Sequence, residues 1–398
     1  MRPRASVVIV HHRGRARLLR TLAAVTTQAD AESSEVIVVD NASREGAPAE
    51  IRRRFPGVRI LPRERNEGFA AGCRAGAEDA QAEWLVFVND DAIPDPGWLA
   101  CFLEAAGTLP PDVHTLAGRL TDASGTRVDF TDGFLVFDGH AFADGVGAPI
   151  PPDLGGAPGD ERLFACGGNM LVRKSEFFES GAFDASYFAY LEDVDFGWRQ
   201  WIFGHRVLYE PRACARHEGG ATGEALGIFN RGFLIEKNAW ATAYKNFDAV
   251  HFRDLWPAAA TAFLWRVDAM LRRDPGTAAL ARDPYRAAPV SPWRDRWRRW
   301  SGVAAAAESL SVGDPLAIAQ LRALRAIVDG SGTLARERER VQARRARSDR
   351  EIFRKFPLRI VPTYPGDEVF ASSFFAPLLP VEAELAARRL DQIMPGRP

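Results

Sequence analysis

The sequence predicts an α/β protein built on an open, mostly parallel sheet. Two observations carry that prediction. Short β-branched runs alternate with helix-spaced segments over about the first 100 residues, the pattern of strands and crossover helices. Polar clusters then follow three of the runs: His11-His12-Arg13, Asp40-Asn41 and Asn89-Asp90-Asp91. Open sheets of this kind bind ligands at the carboxyl ends of their strands, so the fold would gather these clusters into one crevice.

The elements follow in order. Ala5 to Val10 reads as a strand buried on both faces, ended by the turn His11 to Gly14. Leu18, Leu19, Leu22 and Val25 give Arg15 to Thr27 helical spacing. Glu35 to Asp40 is a second buried strand, and Val58 to Leu61 is a third, shorter one. A helix opens at Asn66 to Phe69 and runs through Ala80. Trp84 to Asp91 is a fourth strand with acids at its end, and Trp98 to Ala106 is helical. Leu116 to Asp160 is rich in Gly, Asp and Pro and reads as strand–turn excursions over the sheet. Within Phe164 to Arg173, Gly167 and Gly168 suit either a close backbone approach to a ligand or a bulge.

Three carboxylates, Glu192, Asp193 and Asp195, crowd the start of the helix-spaced stretch ending at Phe203. Carboxylates there suit the positive end of a helix dipole, and Asp193 or Asp195 can cap it. The same placement can hold a general base beside aromatics that exclude water. A strand at Arg206 to Tyr209 leads into a Gly-rich loop holding His217. Neutral imidazole is a common metal ligand, so His217 can complete a metal site begun by Asp91. Neither GxGxxG nor a P-loop is present. Phosphate charge then needs another neutraliser, which a hard divalent cation on Asp90 and Asp91 can supply.

Composition narrows the classes. The chain has 398 residues, a formal net charge of −1 and 46% hydrophobic residues. That balance is ordinary for a globular protein and leaves room for two domains or one large one. It lacks the global basic field that would argue for nucleic acid as a partner. Cys73, Cys101, Cys166 and Cys214 form no CxxC pair. Neither a zinc site nor a disulfide framework is therefore expected, and a reduced, cytoplasmic setting fits. No run reaches the roughly 18 uninterrupted apolar residues of a spanning helix.

Taken together, several pieces resemble the family 2 glycosyltransferases of the GT-A fold, especially rhamnosyl- and galactofuranosyltransferase-like members. They are Ser6 to Val10, Val36 to Ser43, Arg65 to Ala70, Val88 to Ala92, Gly181 to Asp184, Glu192 to Arg199 and His217, and their ordered set spans roughly residues 5–220. The resemblance implies a Rossmann-like open mixed sheet flanked by helices. It implies inverting transfer of a sugar, rhamnose or galactofuranose ahead of others, from a dTDP- or UDP-linked donor to a hydroxyl of a glycan or glycolipid. By the same resemblance Asp40 contacts the base or ribose, and His11 and Arg13 line that pocket. Asn66 and Gly68 line the nucleotide side. Asn89-Asp-Asp91 stands at the DXD position, with Asp90 facing the nucleotide and Asp91 holding Mg2+ or Mn2+ together with His217. Asp193 matches the catalytic base, with Glu192 beside it on the acceptor side. His11-His-Arg13 departs from the family's usual Thr-Tyr-Asn. The rival from another class is a non-catalytic nucleotide-sugar or glycan-binding module on the same fold, which needs no base.

Residues 1–225 are thus expected to form the GT-A domain and residues 226–398 a mainly helical extension packing on it. Gly232 to Phe247, Leu255 to Arg273 and Leu316 to Val328 carry helical spacing. Arg336 to Arg350 reads as a charged helix or solvated tail, and Leu358 to Pro380 as an extended strap. The aromatic, basic segment Trp293 to Trp300 fits a helix with its Trp stripe packed inward or an anionic membrane surface. The expected setting is cytoplasmic, with contact to the inner face of the cell membrane and self-association both left open.

Overall fold

The computed structural model describes residues 2–219, 221–274, 277, 312–379 and 386–393. Strand and helix alternate first: β1 (Ala5–His11), α1 (Arg15–Ala31), β2 (Glu35–Asp40), α2 (Ala47–Arg54), β3 (Arg59–Pro62), α3 (Gly68–Asp79), β4 (Trp84–Val88), β5 (Ala92–Pro94) and α4 (Trp98–Ala106). Then come β6 (Val113–Asp122), β7 (Val128–Phe130), β8 (Gly133–Leu135), β9 (Ala141–Ala143), β10 (Glu161–Arg162), β11 (Asn169–Arg173), α5 (Lys174–Glu179), α6 (Glu192–Ile202) and β12 (Arg206–His217). Long helices follow, α7 (Ala221–Asn246) and α8 (Ala249–Arg273), and then Pro315–Asp329, Ser331–Ala343 and Asp349–Lys355.

The central strands are apolar without alternation because both faces of the sheet are covered. Val7 and Ile9 pack with Leu18 and Leu22 of α1 on one face. Val8, Ile37 and Val39 pack with Ala70, Cys73 and Ala77 of α3 on the other. β2 and then β3 lie on one side of β1, and β4, β11, β6, β12 and β10 lie on the other. β1 runs parallel to β2 and β4, and its register sets His11 beside Asp40. β11 runs antiparallel to both β4 and β6, whereas β12 is parallel to β6. Two reversals bring β12 back to the direction of β4, so His217 ends at the same edge as His11, Asp40 and Asn89.

The sheet is therefore mixed, as the resemblance implied, rather than mostly parallel. A fully buried strand has the same apolar run in either direction, and only the connection sets the sense of β11. Other expectations need correction. α2 stands between β2 and β3, where no element is expected. The last sheet strand does not stop at Tyr209: it continues through a bulge between Glu210 and Cys214 and carries His217 as its final residue. The run from Arg336 to Arg350 divides between two helices, with Ser348 and Glu351 forming a capping box at the second. The described part of the expected strap, residues 358–379, is not extended, since it folds into tight turns at Asp367–Ala371 and Ala376–Leu378. α7 begins well before Gly232 and kinks at Gly227, and α8 begins at a cap on Asp248 with Pro257 inside it. Trp293 to Trp300 lies outside the described residues. No described helix is long and apolar enough to cross a membrane.

A buried charge network ties the helical region to the turn between β8 and β9, which pair as a separate two-stranded sheet. Arg266 of α8, 2% exposed, donates to Asp367 at 2.6 Å and to Asp138 at 2.9 Å. Asp138 also pairs with His140 at 3.0 Å, and the other ring nitrogen of His140 lies 3.4 Å from Glu236 of α7. Glu236 in turn accepts from Trp240 at 2.8 Å and Gln320 at 2.7 Å. Burial opposes charge on His140, but its two carboxylates win and push its pKa up to about 10.

Arg266→Met leaves Asp138 and Asp367 uncompensated and is expected to remove about 3–5 kcal/mol of stability in urea denaturation. His140 has a second, pH-dependent signature. Its folded-state pKa of about 10 lies above the ordinary value of 6.5. The stability it contributes is complete below pH 6.5 and is lost as pH rises through 10. Tm should fall between pH 7 and 10, and the slope should flatten in His140→Gln.

Candidate active site

The carboxyl edge of the sheet gathers three groups of polar residues. The first is the turn after β4. His217 Nε2 lies 3.0 Å from Asp91 Oδ1 and 3.2 Å from Asn89 Nδ2. Its Nδ1 lies 2.8 Å from Asp129 Oδ2. β5 makes this possible, because it pairs with β12 and sets Ala92 opposite His217. Burial resists charge on the ring, yet the two flanking carboxylates hold its pKa up at about 10. Asp91 is 6% exposed, and burial works to raise its pKa, but the hydrogen bond and charge of His217 together with the charge of Arg17 hold it below the usual carboxylate range. Asp90 points the other way and contacts His11 Nδ1 at 2.6 Å. Burial raises the Asp90 pKa, and the hydrogen bond to His11 works against that rise.

The second group lies toward β2. Asn41, fully buried, donates to Asn66 Oδ1 at 2.9 Å and to the carbonyl of Gly68 at 3.0 Å. Its own amide donates to the carbonyl of His11 at 2.7 Å. Asp40 accepts the amide of Ser43 at 3.0 Å. Gly68 has φ +88, and a Cβ there would sit 2.3 Å from the carbonyl oxygen of Phe188. No other residue fits such a position. The structure thus joins His11, Asp90, Asn66 and Gly68 into one rim with Asp40 beside it. Arg13 is exposed in the turn and stays out of that network.

The third group is the acidic start of α6, where three neighbouring carboxylates have three environments. Asp195 is fully buried and held by Arg199 at 2.9 Å, Lys245 at 3.1 Å and Asn246 at 3.0 Å. It is a structural acid that fastens α6 to α7. Glu192 is 5% exposed, and its Oε2 has no hydrogen-bond partner. Burial, then the neighbouring Asp193 charge, raise its pKa well above the ordinary value. Burial raises Asp193 as well, but Gly167 and Val194 each donate a backbone amide to its carboxylate at 2.8 Å. Of this coupled pair Asp193 is the one better able to hold a negative charge. Gly167 also explains the glycine pair: the next carbonyl, of Gly168, accepts the amide of Asn89 at 3.1 Å. One tight turn therefore touches both the carboxylate on α6 and the turn after β4.

Asp193 opens onto a cleft of about 1050 Å³. Phe130, Phe142, Phe164 and Tyr190 supply apolar and aromatic walls, and Ile228, Arg231 and Ile235 of α7 close the far side. Glu192 is not among the lining residues. Sequence reasoning placed it on the acceptor side because adjacent helical residues look equivalent until the helix's buried face is known. It also missed Asp129. That residue sits between two buried apolar residues on a three-residue strand, and only the pairing of β7 with β6 brings it to His217.

Comparison with known proteins agrees with this geometry. Residues 6–175 match the family described as glycosyl transferase family 2. The N-acetylglucosaminyl-diphospho-decaprenol L-rhamnosyltransferase of Mycobacterium tuberculosis is 30% identical over 214 residues, covering 47% of this chain and 68% of the relative. Polypeptide N-acetylgalactosaminyltransferase 10 of Homo sapiens is 26% identical over 227 residues, covering 54% of this chain and 37% of that protein. Among solved structures, GalNAc-T7 crystallised with UDP, GalNAc and Mn2+ aligns with a TM-score of 0.50 at 16% identity, over 76% of this chain and 55% of that one. At that identity the likeness shows the GT-A fold. The chain belongs to family 2 of the glycosyltransferases and is rhamnosyltransferase-like. It is therefore an enzyme that transfers glycosyl groups.

Proposed function

We propose that this enzyme transfers rhamnose, with inversion, from a dTDP-linked donor to a hydroxyl of a glycan carried on a lipid diphosphate. A UDP-linked galactofuranose donor is the next choice. The observation that carries the proposal is Asp193: a half-buried carboxylate, held by two backbone amides, facing a cleft with aromatic walls. The name of the Mycobacterium tuberculosis relative supports both the sugar and the acceptor. An acceptor of that kind would bring the enzyme to the inner face of the cell membrane. In this reading residues 1–225 carry the chemistry and residues 226–398 shape the acceptor side of the cleft.

The residues divide the work. Asp40, Asn66, Gly68, His11 and Asp90 form the rim where the nucleotide would lie, with Arg13 free to reach it from solvent. Asp91 Oδ1 and His217 Nε2 are 3.0 Å apart, close to the ~3.0 Å edge expected for adjacent ligands of an octahedral ion with bonds near 2.1 Å. They fit Mg2+ or Mn2+, and Asp129 behind His217 is the carboxylate that commonly orients a ligating imidazole. A divalent ion bound there supplies positive charge to the departing diphosphate. His217 must give up its proton to act as a ligand. Asp193 takes the proton from the acceptor hydroxyl as that oxygen forms its bond to the anomeric carbon. The bond from that carbon to the diphosphate oxygen breaks on the opposite face, so the centre inverts. The aromatic walls exclude the water that would otherwise compete.

Asp193→Asn is expected to retain dTDP-rhamnose binding by calorimetry while transfer falls about 10²- to 10⁴-fold. In the wild type, the acidic limb of kcat/KM should lie above the ordinary carboxylate range, because burial raises the Asp193 pKa. Retained transfer in Asp193→Asn would overturn the base assignment. Asp129→Asn is expected to weaken Mn2+ binding about 10- to 100-fold, read by calorimetry in the presence of nucleotide.

A further inference from the structure

A second cluster of metal-ligating side chains lies at the opposite end of the sheet. His114 stands near the start of β6, His205 immediately precedes β12, and Glu176 reaches up from α5. Glu176 Oε1 lies 3.3 Å from His205 Nε2, and its Oε2 lies 3.9 Å from His114 Nε2. One ligand atom from each residue falls within 4.8 Å of the others. The two imidazole rings meet edge to face, with centroids 4.8 Å apart. We propose that His114, Glu176 and His205 form a binding site for Zn2+, distinct from the Asp91 and His217 pair.

Three features support the assignment. The first is the ligand set. Two imidazoles and one carboxylate suit a borderline ion such as Zn2+, whereas Mg2+ prefers oxygen ligands and keeps much of its water. The second is spacing. Adjacent ligands of a tetrahedral Zn2+ with bonds of 2.0–2.2 Å are separated by ~3.4 Å. The Glu176 to His205 distance already matches, and a small ring rotation brings His114 in. The third is the local charge. Glu176 is 6% exposed, and a buried carboxylate needs hydrogen bonds, a cation or a metal. Ser180 supplies one hydrogen bond, at 2.5 Å. The nearby guanidiniums are committed elsewhere: Arg206 grips Asp112, and Arg347 donates to the carbonyls of Gly204 and His205.

The site also has an open position. His114 and His205 are 16% and 23% exposed at their side chains, which leaves room for a water as the fourth ligand. Its distance from the cleft is large. β12 separates His205 from His217 by its full length, on the order of 30–40 Å at the usual rise per residue. Zn2+ here would not reach the sugar-transfer chemistry. It would tie α5 to the two strands β6 and β12, and binding the folded state alone it would raise Tm.

The test uses the full chain, stripped of metal with a chelator. Equilibrium dialysis against Zn2+ should load one equivalent more onto the wild type than onto the His114→Ala/His205→Ala double variant, and tenfold excess Mg2+ should not displace it. Zn2+ should raise the wild-type Tm and leave that of the variant unchanged. Glu176→Gln, which keeps the side-chain volume, should also lose the equivalent and covers the case in which the double variant fails to fold. Crystals grown with Zn2+ should give an anomalous peak between the three side chains. Equal Zn2+ loading in wild type and Glu176→Gln, or no anomalous peak at the cluster, would overturn the proposal.

Discussion

The Asn238 side chain holds the loop on which the cleft depends. Phe188, Tyr190 and Leu191 all have positive φ, at 65, 72 and 65. Backbone of this kind is disfavoured for L residues by about 1–2 kcal/mol each, so something must hold it. The Asn238 amide lies within 2.7–3.1 Å of the carbonyls of Tyr187, Ala189 and Tyr190. Phe188, in the same loop, turns its carbonyl onto the amide of Ala70 and against Gly68. One strained loop thereby joins the rim around Asn66 and Gly68 to the first turn of α6. Strain that persists because its surroundings over-determine it tends to gather at functional sites.

Much of this was legible in the sequence, for a physical reason. Strands buried on both faces write unbroken apolar runs, and β1, β2 and β4 are all visible that way. A ligand edge made of strand ends writes polar residues just after those runs, so His11, Asp40 and Asp91 could be found one at a time. What stayed hidden depends on partners distant in sequence. The sense of β11 is set by its connection. The extent of β12 is hidden by the bulge after Glu210, where Pro211 reads as a stop. Asp129 carries no spacing signal. The three acids of α6 look alike in sequence, and they separate only when α7 arrives with Lys245 and Asn246 for Asp195.

That separation is the main electrostatic device of the site. Desolvation penalises every carboxylate it surrounds, and the protein answers differently at each one. Asp195 receives cations and an amide. Asp193 receives two backbone N–H groups, which preserve its charge without occupying the cleft with a side chain. Glu192 receives no partner on its Oε2. Three carboxylates within four residues thus provide a clamp, a carboxylate facing the cleft and a buried acid.

The Arg266 network also sets an order of events. Its members come from residues 138, 140, 236, 266, 320 and 367, and His140, Leu316 and Tyr364 line the same cleft. During synthesis the strands through His217 can pair before the rest has emerged, because their partners lie within the earlier part of the chain, whereas α6 and the loop before it wait for Asn238, Lys245 and Asn246 of α7. The wall of the cleft cannot. It waits for Asp367, more than two hundred residues after Asp138, and such distant closures are slow. A nascent chain would therefore hold a paired sheet before it holds a finished cleft.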